Sequence, residues 1–377
     1  MPRPGHDGVT LITGFPALPA RRMVEHVLRS EPRSLVYVVV PASKRLRAEA
    51  FAGELPAEAR GRLVMLEGDP TSMDLGLSGA ELRQLAREVD RIHHMARASG
   101  VGVDRAIARQ VNVIGAAEIL EVARAASSLE CLVFHSTAHV SGDRTGVVYE
   151  DDLLAGQDFR TDVEETRSKA EVMVRRAMRQ VPIAVVRPTT LALDLDPEED
   201  DRLDGLYLLV LFIVATPTDI AIPFPGKGDT PLNIVPLDFV IKAAHAIGRA
   251  EGAAGRTFHL ADPHPVSVRR IADLVAKAGG KKTARSHIPS NLAKALLRTP
   301  GIEHFVRSPR AFVEQLTTPV RYDTRNADPV LRAAGIECPA FETYVEELVA
   351  VVQDHVKGQK KRRESSRAEA EVDDPLS

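Results

Sequence analysis

The chain has 377 residues, a hydrophobic content of 44% and a formal net charge of -3. This length supports one large or two smaller cores, and the near-neutral charge excludes the basic field of a nucleic-acid-binding protein. Two cysteines, Cys131 and Cys338, form neither a disulfide framework nor a metal-ligand cluster, which favours a reducing compartment and predicts no metal site.

The apolar stretches and the N-terminus predict where the protein resides. The longest apolar stretch, residues 206–215, is well short of the ~20 residues that a membrane span needs. The first residues carry two prolines and a histidine before a short apolar run, which is unlike a signal peptide. We therefore expect a cytoplasmic protein without a membrane span. A homodimer is one assembly that the sequence leaves open.

Short β-branched runs alternate with amphipathic helical patterns along the chain. Strands are predicted at residues 8–13, 35–40, 63–66, 91–95, 131–135 and 183–186, and helices notably at 21–29, 111–126 and 166–179. Continuous apolar strands between such helices indicate a parallel sheet that is covered on both faces. The pattern predicts an α/β fold with a doubly wound, Rossmann-type sheet; another α/β layering is the alternative.

The turn after the first strand contains Gly14 but no second or third glycine. A dinucleotide-binding turn uses three glycines, for the tight turn, for close approach of the pyrophosphate and for packing of the helix on the strand. Ala17 and Ala20 stand in the second and third positions. A single glycine after a strand is more often an ordinary connection between strand and helix.

Several short motifs occur in one order along the chain and together resemble a known family. They are LEGDP at 66–70, DRIHHMA at 90–96, VNVIG at 111–115, STAHV at 136–140, VRPT at 186–189 and VPLDFV at 235–240. In this order they resemble the extended short-chain dehydrogenase/reductases, specifically the fatty acyl and thioester reductase (male sterility type) branch. The likeness runs from about residue 9 to about residue 355.

The resemblance implies a nicotinamide cofactor and assigns residues to it. Asp69 is expected beside the adenine, although a turn or helix-capping aspartate is an equal alternative. The remaining expected contacts are Thr13, Gly14, Phe15, Ala17, Leu18, Ala96, Lys169, Pro188 and Thr189. After the second strand, Ser43, Lys44 and Arg45 occur without an acidic residue. This favours NADP, with NAD as the second choice and a solvated basic loop as the structural alternative.

The resemblance also implies a catalytic set. Thr137 is at the hydroxyl position and Lys169 at the lysine position, while Asn112 is where the family holds a kinked helix near that lysine. Glu165 occupies the place of the proton-donating tyrosine, four residues before Lys169. The spacing predicts an ion pair on one helix face, and Glu165 acts as a general acid only if burial raises its pKa. Tyr207, His94 and His139 are further candidates.

The resemblance and the altered catalytic set indicate two alternative functions. The first is an NAD(P)-dependent oxidoreductase acting on a lipophilic acyl thioester, aldehyde or alcohol; the second is a catalytically impaired sensor or scaffold that binds a dinucleotide. Residues 1–190 with about 230–262 are expected to form the NAD(P)-binding domain. About 191–229 and 263–357 are expected to form the substrate-binding part, whose apolar insert at 205–215 is either a buried helix or a lid. The charged tail at 358–377 is expected to be disordered.

Overall fold

A computed structural model describes residues 6–98, 103–196, 203, 205–215, 228–281, 314 and 316–372. The chain divides into two compact units. The first comprises Met1–Leu191, Asn233–Pro263 and Thr318–Cys338, and the second comprises Ala192–Leu232, His264–Thr317 and Pro339–Ser377.

The first unit is built on a parallel sheet of seven strands. These strands are β1 (Gly8–Thr13), β2 (Ser34–Val40), β3 (Leu63–Glu67), β4 (Arg91–His94), β5 (Cys131–His135), β7 (Ile183–Pro188) and β10 (Thr257–Leu260). Their order is β10-β7-β5-β4-β1-β2-β3. The short strands β6 (Gly146–Val148) and β11 (Val320–Tyr322) form a separate parallel pair; β8 is Thr190–Ala192 and β9 is Ile234–Pro236.

Helices cover both faces of this sheet. They are α1 (Leu18–Ser30), α2 (Arg45–Glu54), α3 (Ala57–Arg60), α4 (Gly79–Glu88), α5 (Arg105–Arg109), α6 (Gly115–Ala125), α7 (Asp162–Ala177), α9 (Leu237–Ile247) and α11 (Ala327–Ala333). One core layer joins α1, α2, α9 and α11 to the sheet. The other joins α4, α6 and α7 to the opposite face. Strands β1, β2, β5, β7 and β10 are buried at every residue, which explains the continuous apolar runs in the sequence, whereas the edge strand β3 is partly exposed.

The strand order reverses between β1 and β4. From β1 the chain proceeds outward through β2 and β3, and it then returns to β4 and continues through β5, β7 and β10 in the other direction. In such sheets the connections diverge at this point and leave a crevice at the carboxyl ends of the two strands, where ligands bind. Residues that follow β1, β4 and β5 are therefore the ones placed to contact a ligand.

The predicted doubly wound α/β fold is confirmed, and each of the six predicted strands is present. The seventh strand, β10, was not predicted as an element because four residues between loops carry too little pattern. The first helix begins earlier than its apolar spacing indicated, at Leu18, since Pro19 is well suited to a first helical turn. A π-helical turn at Gln110–Ile114 precedes α6.

The second unit contains α8 (Gly205–Ala215), α10 (Val268–Ala278) and α12 (Val345–Val372), which pack against one another. Helix α12 continues through much of the tail expected to be disordered, a difference explained by the helix-forming Lys, Arg, Glu and Ala residues there. Thr318–Cys338 belongs to the first unit, not to the C-terminal part as predicted. Within the described residues, no helix combines the length and apolar character needed to cross a bilayer.

Candidate active site

Thr13, the last residue of β1, fixes the segment that follows β4. Its Oγ1 accepts hydrogen bonds from the amides of Met95 and Ala96, each over 3.2 Å, and lies 3.0 Å from Nδ1 of His94. With both acceptor sites of the hydroxyl used, its proton is donated to His94 Nδ1. Burial, and then the charge of Arg167, lowers the pKa of His94 to about 3, so this ring is a neutral acceptor. His94, a candidate catalytic residue in the sequence, therefore has a structural role here: it accepts the hydrogen bond that orients the Thr13 hydroxyl.

Gly14 brings the first turn against the segment after β4. Its φ is 87°, and an added Cβ would lie 2.7 Å from the carbonyl carbon of Met95 and 2.8 Å from the nitrogen of Ala96. Only glycine fits this position without displacing backbone atoms. Phe15 turns away from the crevice and packs edge-on against Phe51 in the core.

The start of α1 offers fewer amides to a phosphate than a helix usually does. Of the first four positions, Ala17 donates its amide to Gly14 O over 3.1 Å and Pro19 has no N–H. The amides of Leu18 and Ala20 remain. The crevice and the tight Gly14 turn fit a dinucleotide, with two backbone donors at the helix end in place of the usual four.

Ser43 and Lys44 lie at the exposed carboxyl end of β2, in the turn Ala42–Lys44. Arg45, the third member of this basic segment, pairs with Glu49 over 2.8 Å and with Glu67 over 3.5 Å. Its charge is thereby partly neutralised. After β3, Asp69 Oδ1 accepts hydrogen bonds from both the amide and the hydroxyl of Thr71, which is the turn-forming role that the sequence left as an alternative.

Asn112 connects the segment after β4 to helix α7. Its Oδ1 accepts a hydrogen bond from the amide of Ala98, and its Nδ2 donates to Thr166 Oγ1, both over 3.0 Å. The residue is buried within the π-helical turn. Single π-helical turns are frequent at functional sites. Asn112 thus positions both Ala98 and α7.

Thr137 follows β5 and begins the turn that packs against α7. Its Oγ1 accepts from the amide of His139 over 3.3 Å, which leaves the hydroxyl proton for another acceptor. The side chain is half-buried. Burial, together with the charge of Arg160, lowers the pKa of the neighbouring His139 to about 4, so that imidazole is neutral near pH 7.

Lys169 and Glu165 form an ion pair on α7, as the spacing predicted. Lys169 Nζ lies 2.5 Å from Glu165 Oε1, and the two side chains are 56% and 27% exposed. Arg105 approaches the same carboxylate to 3.3 Å. The hydrogen bond from Lys169 lowers the pKa of Glu165, and the charges of Lys169 and Arg105 act in the same direction. Glu165 is thus an ionised carboxylate and holds no proton to donate at neutral pH.

A buried ionic network beneath Thr137 was missed at the level of sequence. Glu171 Oε2 accepts from the Ser136 hydroxyl over 2.6 Å, while Oε1 pairs with Arg187 Nη2 at 2.6 Å and with Arg175 Nε at 2.9 Å. Although burial opposes ionisation, the charge and hydrogen bonds of Arg187 lower the pKa of Glu171. The spacing Glu171–Arg175, four residues apart on a helix, was the available signal.

The end of β7 places Pro188 and Thr189 in buried surroundings. Thr189 Oγ1 donates to Asn233 Oδ1 over 2.8 Å, and Asn233 Nδ2 donates to Asp262 O over 2.7 Å. The Thr189 hydroxyl therefore holds the segment before β9 in place.

In the second unit, Tyr207 donates to Asp194 Oδ1 over 2.7 Å and accepts from two backbone amides. This phenol is fully engaged in its own unit.

The chain resembles several known proteins. A family model described as male sterility protein matches residues 12–244. Probable fatty acyl-CoA reductase 5 of Arabidopsis thaliana is 21% identical over 364 residues, covering 76% of this chain and 73% of the relative. Fatty acyl-CoA reductase 1 of the same plant is 23% identical over 345 residues, with coverages of 72% and 70%.

Solved structures share the fold. The terminal R domain from the myxalamid PKS-NRPS biosynthetic pathway matches with a TM-score of 0.76 and 20% identity, over 94% of this chain and 92% of that one. UDP-glucuronic acid 4-epimerase from Bacillus cereus, in complex with NAD, matches with a TM-score of 0.65 and 16% identity, over 92% and 99% of the two chains.

Proposed function

The chain belongs to the male sterility protein family, a fatty acyl-CoA reductase-like family of NAD(P)-binding oxidoreductases, and on that premise we propose that it reduces a lipophilic acyl thioester to the aldehyde with NADPH. The observation that carries this proposal is the ionised Glu165, held 2.5 Å from Lys169 where the family has its proton-donating tyrosine. The proposal concerns both the substrate class and the point at which reduction stops.

Thioester reduction does not require a proton at the carbonyl oxygen. When bound, the reduced nicotinamide supplies the hydride that adds to the acyl carbon. The π electrons move to the oxygen, where Thr137 donates a hydrogen bond and the Lys169 ammonium adds positive charge. These electrons re-form the carbonyl bond as the C–S bond breaks and the thiolate leaves. The thiolate is then protonated by water, because the corresponding thiol has a pKa of about 8.5. The thioester, the hydride and one proton yield aldehyde and thiol.

Reduction of an aldehyde has a different requirement. Hydride addition leaves an alkoxide that has no leaving group, and its conjugate acid ionises near the pKa of about 15.7 of water. It must therefore gain a proton as it forms. Because the lowered pKa of Glu165 leaves a carboxylate in that place, the second reduction is expected to be slow. We propose release of the aldehyde.

Cofactor choice and substrate binding complete the proposal. NADP is favoured because Ser43 and Lys44 follow β2 without an acidic residue that would bind a ribose 2′-hydroxyl. Asp69, Ala96 and Leu18 are proposed to contact the adenosine and phosphates. The second unit is proposed to bind the acyl chain, because α8 is apolar on all sides.

The test is the oxidation of NADPH by the full chain with a long-chain acyl-CoA, with extraction of the products. Aldehyde should accumulate with little alcohol, and Thr137→Ala should abolish turnover while Thr145→Ala, which removes an exposed hydroxyl elsewhere, should not. Alcohol as the main product would overturn the proposed stopping point. Unchanged turnover in Thr137→Ala would remove that residue from the proposed mechanism.

A second function, a dinucleotide-binding sensor without turnover, is favoured by the same ion pair, since the Lys169 ammonium is already engaged by Glu165. It predicts that NADPH binds in calorimetry but that no acyl thioester or aldehyde promotes its oxidation. Turnover of either substrate excludes it.

A further inference from the structure

The first turn alone holds a pyrophosphate weakly. Ala17 donates its amide to Gly14 O, and Pro19 has no N–H to offer. Backbone amides at this helix end normally carry most of the phosphate binding in a dinucleotide site. A protein that binds the dinucleotide with two of these donors absent needs other positive groups in the same crevice.

Arg97 begins beside that turn. Gly14 is in direct contact with the backbone of Met95 and Ala96, and Arg97 is the next residue along the chain. Thr13 Oγ1 accepts from the amide of Ala96 and Asn112 Oδ1 accepts from that of Ala98. The backbone of Arg97 is therefore held on both sides, at the carboxyl end of β4.

Arg167 approaches the same place from α7. It is 4% exposed, and its Nη1 donates to the carbonyl oxygen of His135 at the end of β5 over 3.0 Å. Asn112 joins the two arginines indirectly, since it bonds to Ala98, next to Arg97, and to Thr166, next to Arg167. The sequence neighbours of the two arginines thus share one buried amide side chain.

Arg97 and Arg167 bring two positive charges to this cluster. Burial, and then the charge of Arg97, lowers the pKa of Arg167 to about 9. Burial and the charge of Arg97 also lower the pKa of His135 to about 3, and His94 is neutral as well. The carboxylate that acts on Arg167 is Glu171, which already binds Arg187 and Arg175. Two cations in a partly buried crevice favour an anion.

We propose that Arg97, with Arg167 behind it, binds the pyrophosphate of the dinucleotide at the carboxyl ends of β4 and β5, in place of the amides that Ala17 and Pro19 do not provide. This inference rests on the proposed function in one respect, that the chain binds a dinucleotide. Arginine suits the role because its planar fork of N–H donors matches phosphate oxygens and stays charged when partly buried.

The test is calorimetric titration of the full chain with NADPH and, separately, with NADH, which share the pyrophosphate but differ in the 2′-phosphate. Arg97→Met should weaken both by about tenfold or more, as expected for a charge-assisted hydrogen bond, and should leave the ratio of the two affinities unchanged. It should also make binding less sensitive to salt. Arg124→Met is the matched control, because it removes an exposed arginine that pairs with Glu121 on α6.

Three results would overturn the inference. Unchanged affinities in Arg97→Met, with wild-type binding intact, remove the pyrophosphate contact and leave the proposed function standing. A loss of affinity for NADPH but not for NADH assigns Arg97 to the 2′-phosphate instead. Intact cofactor affinity with a raised KM for acyl-CoA assigns it to the substrate. A wild-type chain that binds neither dinucleotide overturns the proposed function itself.

A second measurement covers the case in which Arg97→Met does not fold. Inorganic pyrophosphate should raise the thermal unfolding midpoint of the wild-type chain relative to sodium chloride of equal ionic strength. Absence of any such rise would overturn the inference without recourse to a variant.

Discussion

The ammonium of Lys169 lies 2.5 Å from Oε1 of Glu165, one helical turn earlier on α7. In the proposed site the family has a tyrosine phenol beside the lysine, whereas this chain has a carboxylate beside it. The lysine side chain is more than half exposed, so the pair contributes little to stability. Its consequence is chemical, because it fixes a carboxylate where the reduction of an aldehyde requires an acid.

Glu165→Tyr is expected to supply the missing proton donor. A phenol at this position, beside the Lys169 ammonium, provides a proton for the alkoxide, so reduction of the aldehyde to the alcohol should rise by about 10²-fold or more. The measurement is the ratio of alcohol to aldehyde formed from acyl-CoA. Glu165→Gln is the control, since it removes the carboxylate without adding an acid, and it should leave the aldehyde as the product. An equal ratio in both variants contradicts the proposed role of this position.

Gly14→Ala should destabilise the first unit and abolish dinucleotide binding. The new Cβ would lie 2.7 Å from a backbone carbon of Met95, and the φ of 87° is strained for alanine. The cost expected is at least about 2 kcal/mol in the free energy of unfolding. Gly53→Ala is the matched control, because nothing lies within 4 Å of its added Cβ. Within α2 it should stabilise the protein by about 0.5–1 kcal/mol. Urea unfolding compares the two, and equal effects would contradict the contact.

Glu171 and Arg187 should behave as a coupled buried pair. Glu171→Gln leaves the fully buried Arg187 guanidinium without its carboxylate, which typically costs about 3–5 kcal/mol. Arg187→Met should cost a similar amount, and the double variant less than the sum of the two. Glu121→Gln, on the exposed surface of α6, should change the free energy of unfolding by less than about 0.5 kcal/mol. Additive single effects would show that the pair is not coupled.

Buried histidines should make the protein sensitive to acid. Burial lowers the pKa of His94, His135 and His259 to about 3 and that of His26 and His139 to about 4. The unfolded chain binds protons below about pH 6.5 that the folded chain does not. The contribution of these histidines to stability is therefore complete above pH 7 and is lost as the pH decreases through 6.5. The loss is at most about 1.4 kcal/mol per histidine for each further pH unit.

The free energy of unfolding, measured from pH 7.5 to pH 5, checks this dependence. His94→Asn keeps an acceptor for the Thr13 hydroxyl and should reduce the slope by about one proton. A free energy of unfolding that does not change over this range would contradict the neutral, buried state of these rings.

The fold could be predicted from sequence because its strands are apolar on both faces. Runs such as Ser34–Val40 and Cys131–His135 are buried throughout, and their burial is reflected in an unbroken series of mostly apolar residues. The short strand Thr257–Leu260 has no such recognisable pattern, since four residues between loops fit several structures. The lack of apolar residues in the tail predicted disorder. The Lys, Arg, Glu and Ala residues that make up much of the tail nevertheless have high helix propensity.

The candidate site was less accessible to sequence reasoning because its contacts join distant parts of the chain. The Glu165–Lys169 pair is local and was predicted from its spacing. Asn112 contacts Ala98 and Thr166, and Glu171 contacts Ser136 and Arg187. No periodicity links such residues, and their partners are set by which strands are adjacent. Arg167 was visible in the segment around Lys169, but its burial against β5 was not.

Ala17→Gly should strengthen dinucleotide binding. The methyl group stands where the second glycine of a dinucleotide-binding turn allows the pyrophosphate to approach the backbone. Ala17 has φ -60° and ψ 150° at the N-cap of α1, a conformation that does not itself require glycine, so the effect should appear in binding. Glycine is also a better N-cap residue than alanine, and the free energy of unfolding should not fall. A several-fold gain in NADPH affinity, measured by calorimetry, is expected.

Ala20→Gly is the control for this change. It lies within α1 and is buried, so glycine there should cost about 1 kcal/mol in stability and give no gain in affinity. If Ala17→Gly leaves affinity unchanged in a folded protein, the methyl group does not limit the approach of the cofactor. Weak binding would then be attributed to the amides that Pro19 and Ala17 do not offer, and the arginines beside β4 would be the groups on which affinity depends.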